Sequence, residues 1–292
     1  MVAKVCATAL VAALTGWGSC NALAQTPASS ATADAQGLHV VSEVKGLDFT
    51  LQDKPLPKAP GPVQDRNECD NYVIRPVSAA GSLVAARGWA VTGEAVLGAY
   101  RVVSFAGKFE AGTSAHCNVE QGNIGIFDGT KLVALAYAPK GSKESIGKVV
   151  ILDGGGLRVW SGDDLSAPAG DIQLVQGELR LGALAAEDSF CQGKAHVPNI
   201  YELPIDKARK ILIDKGWKPV ASESSFDPKI FSREAGFVKH GIIEVDSCAG
   251  TGYGFCAFHY KNPRANLSVT TAGEGDATRD TPPIVDYRVE CR

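Results

Sequence analysis

Ile126-Phe127-Asp128-Gly129-Thr130-Lys131-Leu132-Val133 decides how the first part of the chain folds: an apolar strand, a glycine-bearing turn, and a second strand led by leucine. The figure returns in Ile151-Leu152-Asp153-Gly154-Gly155-Gly156-Leu157-Arg158-Val159-Trp160 and in Leu174-Val175-Gln176-Gly177-Glu178-Leu179-Arg180-Leu181. Asp-Gly and Gln-Gly favour tight hairpins, because glycine takes positive φ without a Cβ clash. Spacings of 25 and 23 residues between the repeats suit successive hairpins of a meander, barrel or sandwich. Further strands are expected around 89–91 and 100–109. Three loose repeats are too few for a propeller.

After Cys191 the period changes. In residues 205–215, Ile205, Ala208, Leu212 and either Ile211 or Lys215 recur at three- and four-residue steps, which predicts an amphipathic helix with Gly216 as its stop. A strand is expected at 217–220. Residues 231–240 read as a second helix ended by Gly241, followed by a strand at 242–245. Strands at 256–260, 266–271 and 285–291 complete a small antiparallel sheet carrying two helices.

The opening of this portion has a further feature. Val197-Pro198-Asn199-Ile200, then Ala208 and Leu212 in the helix, then Gly216-Trp217, resembles the start of a PASTA module. The resemblance covers residues 196–220. It implies a bacterial envelope setting, since such modules stand outside the membrane in cell-wall kinases and penicillin-binding proteins, where some bind peptidoglycan fragments and many act as spacers. The remaining strands and the glycine-rich turn of such modules are not evident. A second helix, a cysteine-bracketed loop and a C-terminal cysteine stand there instead, and the chain carries no kinase or transpeptidase sequence.

The expected fold class is therefore α+β. A β-rich hairpin-meander domain, barrel or sandwich, spans 66–195, and a PASTA-like α+β domain spans 196–292. Residues 1–24 read as a secretory signal: Lys4, an apolar run from Val5 to Leu14, and Ala22-Leu23-Ala24 as the cleavage site. A lipoprotein signal ending at Cys20 is the weaker reading, because Trp17-Gly18-Ser19 fits the lipidation pattern poorly. Residues 25–65 read as a disordered, proline-rich linker with one short strand. No segment reaches the roughly 20 apolar residues that a membrane-spanning helix needs. The formal charge of −3 gives no electrostatic case for nucleic acid.

Beyond the leader stand six cysteines: Cys69, Cys117, Cys191, Cys248, Cys256 and Cys291. An even count in an exported chain argues for disulfides. Cys248-Ala249-Gly250-Thr251-Gly252-Tyr253-Gly254-Phe255-Cys256 reads as a glycine turn clasped by a Cys248–Cys256 bond. A phosphate cradle needs a following helix, whereas a strand follows here. The stretch from Gly141 to Lys148 also misses the phosphate-loop spacing, and Val149 stands where Ser or Thr is required. By elimination, Cys117 is expected to pair with Cys191 and Cys69 with Cys291. Tyr253 and Phe255, displayed on the clasped loop, are the expected partner-contact residues.

No catalytic, cofactor or metal site is expected. A catalytic Cys117 beside His116 would have to be a free thiol. His39, His196, His240 and His259 lack ligand spacing. Asp163-Asp164 reads as a solvated turn. Ser104 and Ser114 lack the Gly-x-Ser-x-Gly elbow. Trp89, Trp160 and Trp217 read as packed rather than as a glycan platform. The leading expectation is an exported, periplasmic or secreted, non-enzymatic binding or scaffold protein whose partner is peptidoglycan or another envelope protein. The alternatives are a secreted inhibitor of a lysozyme or protease, with the clasped loop as its wedge, and a hydrolase whose residues are dispersed.

Overall fold

The computed structural model describes residues 37–113, 115–275 and 280–292. The expected leader, the start of the low-complexity segment after it, and Ser114 lie outside the described residues. The first elements are β1 (His39–Ser42), β2 (Asp48–Leu51), α1 (Ala79–Ala86), β3 (Ala90–Leu97), β4 (Tyr100–Ala106), β5 (Lys108–Ala111) and β6 (Cys117–Glu120). There follow β7 (Asn123–Asp128), β8 (Lys131–Tyr137), β9 (Lys148–Ile151), β10 (Leu157–Trp160), β11 (Pro168–Val175) and β12 (Glu178–Gly182). The chain continues through β13 (Glu187–Phe190), β14 (Ala195–Pro198), α2 (Ile205–Asp214), β15 (Lys218–Pro219) and α3 (Ser232–Lys239). It ends with β16 (Val245–Cys248), β17 (Cys256–Lys261), β18 (Ala265–Thr271) and β19 (Ile284–Cys291).

The strands divide among separate sheets. One runs β1-β12-β11-β10-β9, with β1 parallel to β12 and the other pairs antiparallel. A second runs β2-β8-β7-β4-β3 and is wholly antiparallel. The C-terminal sheet runs β15-β17-β18-β19, with β16 also on β17. Two ribbons, β5–β6 and β13–β14, complete the set. These findings correct the expected α+β class. Strand makes up 41% of the structure and helix 12%, so the protein is mostly β, and the first two sheets are open ladders rather than one closed barrel.

The repeated hairpins are present, with turn chemistry set by their glycines. Asp128 pairs with Lys131, which makes Gly129-Thr130 the two-residue turn, and Gly129 at φ 59° takes the first central position. Val175 pairs with Glu178, and Gln176 (φ 50°) and Gly177 (φ 84°) are both left-handed, as a type I′ turn requires.

The first two sheets share one core, in which Ile124, Ile126, Ala134 and Ala136 meet Leu157, Val159, Ile172 and Leu181. The second sheet is also covered on its other face. There α1 presses Ala80 and Val84 against Val91, Val103 and Phe105. Coverage on both faces is why Val102 to Ala106 of β4 are buried without alternation, Ser104 being the one polar side chain among them. Helix α1 carries few signals beyond its cap, Ser78, whose Oγ accepts from Gly81 N at 2.9 Å. The proline-rich stretch packs here too: Leu56 is buried, and Pro57 O accepts from Trp89 Nε1 at 3.0 Å.

In the C-terminal portion two helices lie on one face of the third sheet. Ile205, Ala208 and Leu212 of α2 and Phe237 of α3 join Trp217, Phe258, Tyr260, Leu267 and Val269 in a single core. Gly216, at φ 87°, ends α2 as expected. Residues 37–292 together form one compact unit.

Three disulfides stabilise the chain. Cys248–Cys256 is the expected one. The other expected pairings are corrected: the bonds are Cys69–Cys117 and Cys191–Cys291. Cys69 precedes a 3-10 turn whose Tyr72 hydroxyl accepts from Cys117 N, which brings the two cysteines together. Cys191 directly follows β13, whose Phe190 ring packs on Tyr287 of β19, and this places it beside Cys291.

Candidate functional site

Strand alternation sets the joint between the first sheet and the C-terminal portion. In β10, Leu157 and Val159 face the shared core, so Arg158 and Trp160 project from the opposite face. That face meets Tyr201 and Tyr287. Tyr201 lies edge-on to Trp160 at 5.6 Å, 5.7 Å from the Arg158 guanidinium, and 4.7 Å from the Tyr287 ring. Arg158 donates to both oxygens of Asp171 (2.9 and 3.1 Å) and both of Asp188 (2.6 and 2.9 Å). Tyr287 donates its hydroxyl to Asp188 as well. Burial alone would lower the Arg158 pKa; the hydrogen bonds and charges of the two aspartates outweigh it and hold the guanidinium ionised. Burial raises the phenols of Tyr201 and Tyr287.

The clasped loop makes a second contact across the joint. Arg233 of α3 donates to the carbonyls of Ala249, Gly254 and Gly273, and Glu234 accepts from Cys248 N, which sets the loop's pose. Tyr253 donates its hydroxyl to Asp164, a bond that raises the phenol's pKa. His116 lies 5.3 Å from the Tyr253 ring and 5.7 Å from the Phe255 ring. His116 Nδ1 is 2.6 Å from Asp164 O. A carbonyl only accepts, so Nδ1 carries the proton. Tyr253 and Phe255 are thus half-buried against their own chain.

Between these two contacts opens a cleft of about 690 Å³. Its walls include His116, Lys148, Trp160, Phe255 and Asp286. Lys148 Nζ stands 5.8 Å from the centroid of the half-buried Trp160. On the floor, Thr92 donates to Gly147 O at 2.6 Å and Ser161 Oγ accepts from Ala167 N at 3.1 Å, so these hydroxyls are engaged. A concavity of this size, with aromatic walls and a few charges, has the form of a ligand site.

The cleft continues past Thr270 and Asp286 into a groove of about 820 Å³ over the sheet face that carries no helix. The strand register arranges that face in rungs: Ala257–Thr270–Asp286, His259–Ser268–Arg288 and Lys261–Asn266–Glu290. Asp286 stands where cleft and groove meet. Its surface stays exposed, yet the protein crowding its carboxyl desolvates it and raises its pKa, against the opposing pull of Lys148 and Arg288.

The other sequence candidates are scattered. His196 and His259 sit 3.6 Å from Glu187 and Asp246 at the surface. Cys69 and Cys117 are disulfide-bonded. Trp89 and Trp217 are buried, and Ser104 is a buried hydroxyl that accepts from Val149 N. Among the described residues no three His, Cys, Asp or Glu side chains gather as a metal site. Sequence reasoning missed the Arg158 cluster, Lys148 and Asp286. The one legible signal was a charge at Arg158 within an apolar strand. Comparison with known proteins finds no matching family model, no matching curated protein and no matching solved structure.

Proposed function

We propose that this chain is an exported, non-enzymatic binding protein of the bacterial envelope, and that it holds peptidoglycan in the cleft between its first sheet and its C-terminal portion. The observation that carries the reading is the half-buried Trp160, with Lys148 above its ring, in the wall of a cleft that opens into a longer groove. An indole face packs against the C–H face of a sugar ring, and an adjacent ammonium suits the carboxylates of the wall polymer. Three disulfides fit a protein working in an oxidising compartment. The PASTA-like opening at 196–220 agrees with an envelope setting.

Co-sedimentation with purified peptidoglycan tests the reading. Wild-type protein should pellet with the polymer. Lys148→Glu reverses an exposed charge without touching the core and should lower retention at least about threefold. Recovery of wild-type protein in the supernatant at every polymer concentration would overturn the proposal.

A further inference from the structure

We propose that the groove over the helix-free face of the C-terminal sheet is a separate site for a short extended peptide bearing charges of both signs. Lys261, Asp286, Arg288 and Glu290 all line this groove, and among the described residues none of the four is held in an ion pair. Uncommitted charges of opposite sign on neighbouring rungs offer a ligand direct partners. The groove offers little stacking surface. Tyr260 is buried and gives its hydroxyl to Glu244, and the exposed imidazole of His259 lies 3.6 Å from Asp246. A sugar finds no indole or phenol face there, whereas a charged chain has partners at every rung.

The spacing selects the ligand further. Asp286 and Arg288 are two residues apart on one strand, so their side chains leave the sheet about 7 Å apart on the same side. An extended peptide has the same period: its residues i and i+2 also point to one side about 7 Å apart. A peptide lying along the strands therefore sets an amine at position i over Asp286 and a carboxylate at i+2 over Arg288. His259 stands on the Arg288 rung beyond Ser268, and the third rung offers Lys261 and Glu290 to the next pair. This site adjoins the proposed glycan site at Asp286, which lines both, but needs no contact with Trp160 or Lys148.

The test is titration of the isotopically labelled full chain, followed by amide chemical shifts, with three acetylated, amidated pentapeptides. One carries Lys and Glu at i and i+2, one carries them at adjacent positions, and one has Gln at both. The first should bind at least about tenfold more tightly than the others, with shifts concentrated in β18 and β19. Arg288→Ala, an exposed change, should erase that preference, and Arg288→Lys should retain part of it. Equal binding of all three peptides, no binding of any, or an unchanged preference in Arg288→Ala would each overturn the proposal while leaving peptidoglycan retention as it was.

Discussion

Replacing Arg158 by methionine should be among the most damaging single changes in this protein. The guanidinium makes four hydrogen bonds to two carboxylates, and the side chains of Arg158, Asp171 and Asp188 are 4%, 3% and 8% exposed. A methionine side chain would match the aliphatic stem of Arg158 but strand two buried anions. Breaking a buried ion pair from one side costs about 3–5 kcal/mol. Two stranded carboxylates would double that, except that each keeps another donor: Ala185 N for Asp171, and the Tyr287 hydroxyl for Asp188. The expected loss therefore stays at about 3–5 kcal/mol. In a unit of this size that lowers Tm by roughly 6–20 °C. Urea unfolding should show the midpoint falling at constant slope. Asp188→Asn alone should cost less, because Arg158 keeps Asp171. In the Arg158→Met/Asp188→Asn double variant the two losses should fall short of additive by about 0.5–3 kcal/mol. A loss below about 1 kcal/mol for Arg158→Met, or strict additivity in the pair, would refute the idea that this cluster clamps the joint.

Two further outcomes follow from the same geometry. Removing the Cys191–Cys291 bond, which spans 100 residues, should cost about 4–5 kcal/mol, and removing Cys248–Cys256, which spans 8, about 2–3 kcal/mol; paired Cys→Ala variants in urea would contradict the loop-entropy account if the short bond proved the costlier. Desolvation by the protein crowded around it raises the Asp286 carboxyl, so its contribution favours the folded state while protonated and is lost as pH rises through the folded pKa. Asp286→Asn should accordingly melt higher than wild type near neutral pH, with the gap closing towards about pH 4, and a gap that widened on acidification would contradict the assignment.

Local signals were legible where they decide local structure. The hairpin turns at Gly129 and Gln176-Gly177, the apolar face of α2 and its stop at Gly216 all follow from φ preferences and periodicity. The fold class was misjudged because two expected helices weighed more than the strand count around them. Helix α1 escaped notice because Ala and Gly dominate it, and buried small residues carry no amphipathic period. The disulfide pairing was not legible because elimination says nothing about closeness in space; Cys69 meets Cys117 through the turn at Tyr72, and Cys191 meets Cys291 once Phe190 of β13 packs on Tyr287 of β19. The cleft was the least legible part. Asp164 and Tyr253 are 89 residues apart and Lys148 and Asp286 farther still, and nothing local marks such pairs.

The bond from Cys191 to Cys291 also fixes how the chain carries mechanical load. Tension applied between the first sheets and a point beyond Cys291 passes through the sulfurs and bypasses everything between them, so α2, α3 and most of the C-terminal sheet are never pulled. The bypassed backbone would measure roughly 330–360 Å if drawn out. In a single-molecule stretching experiment that length should stay hidden in the oxidised protein and be released only after reduction. A protein built this way can be tugged through its ends while the groove on its last sheet keeps its shape.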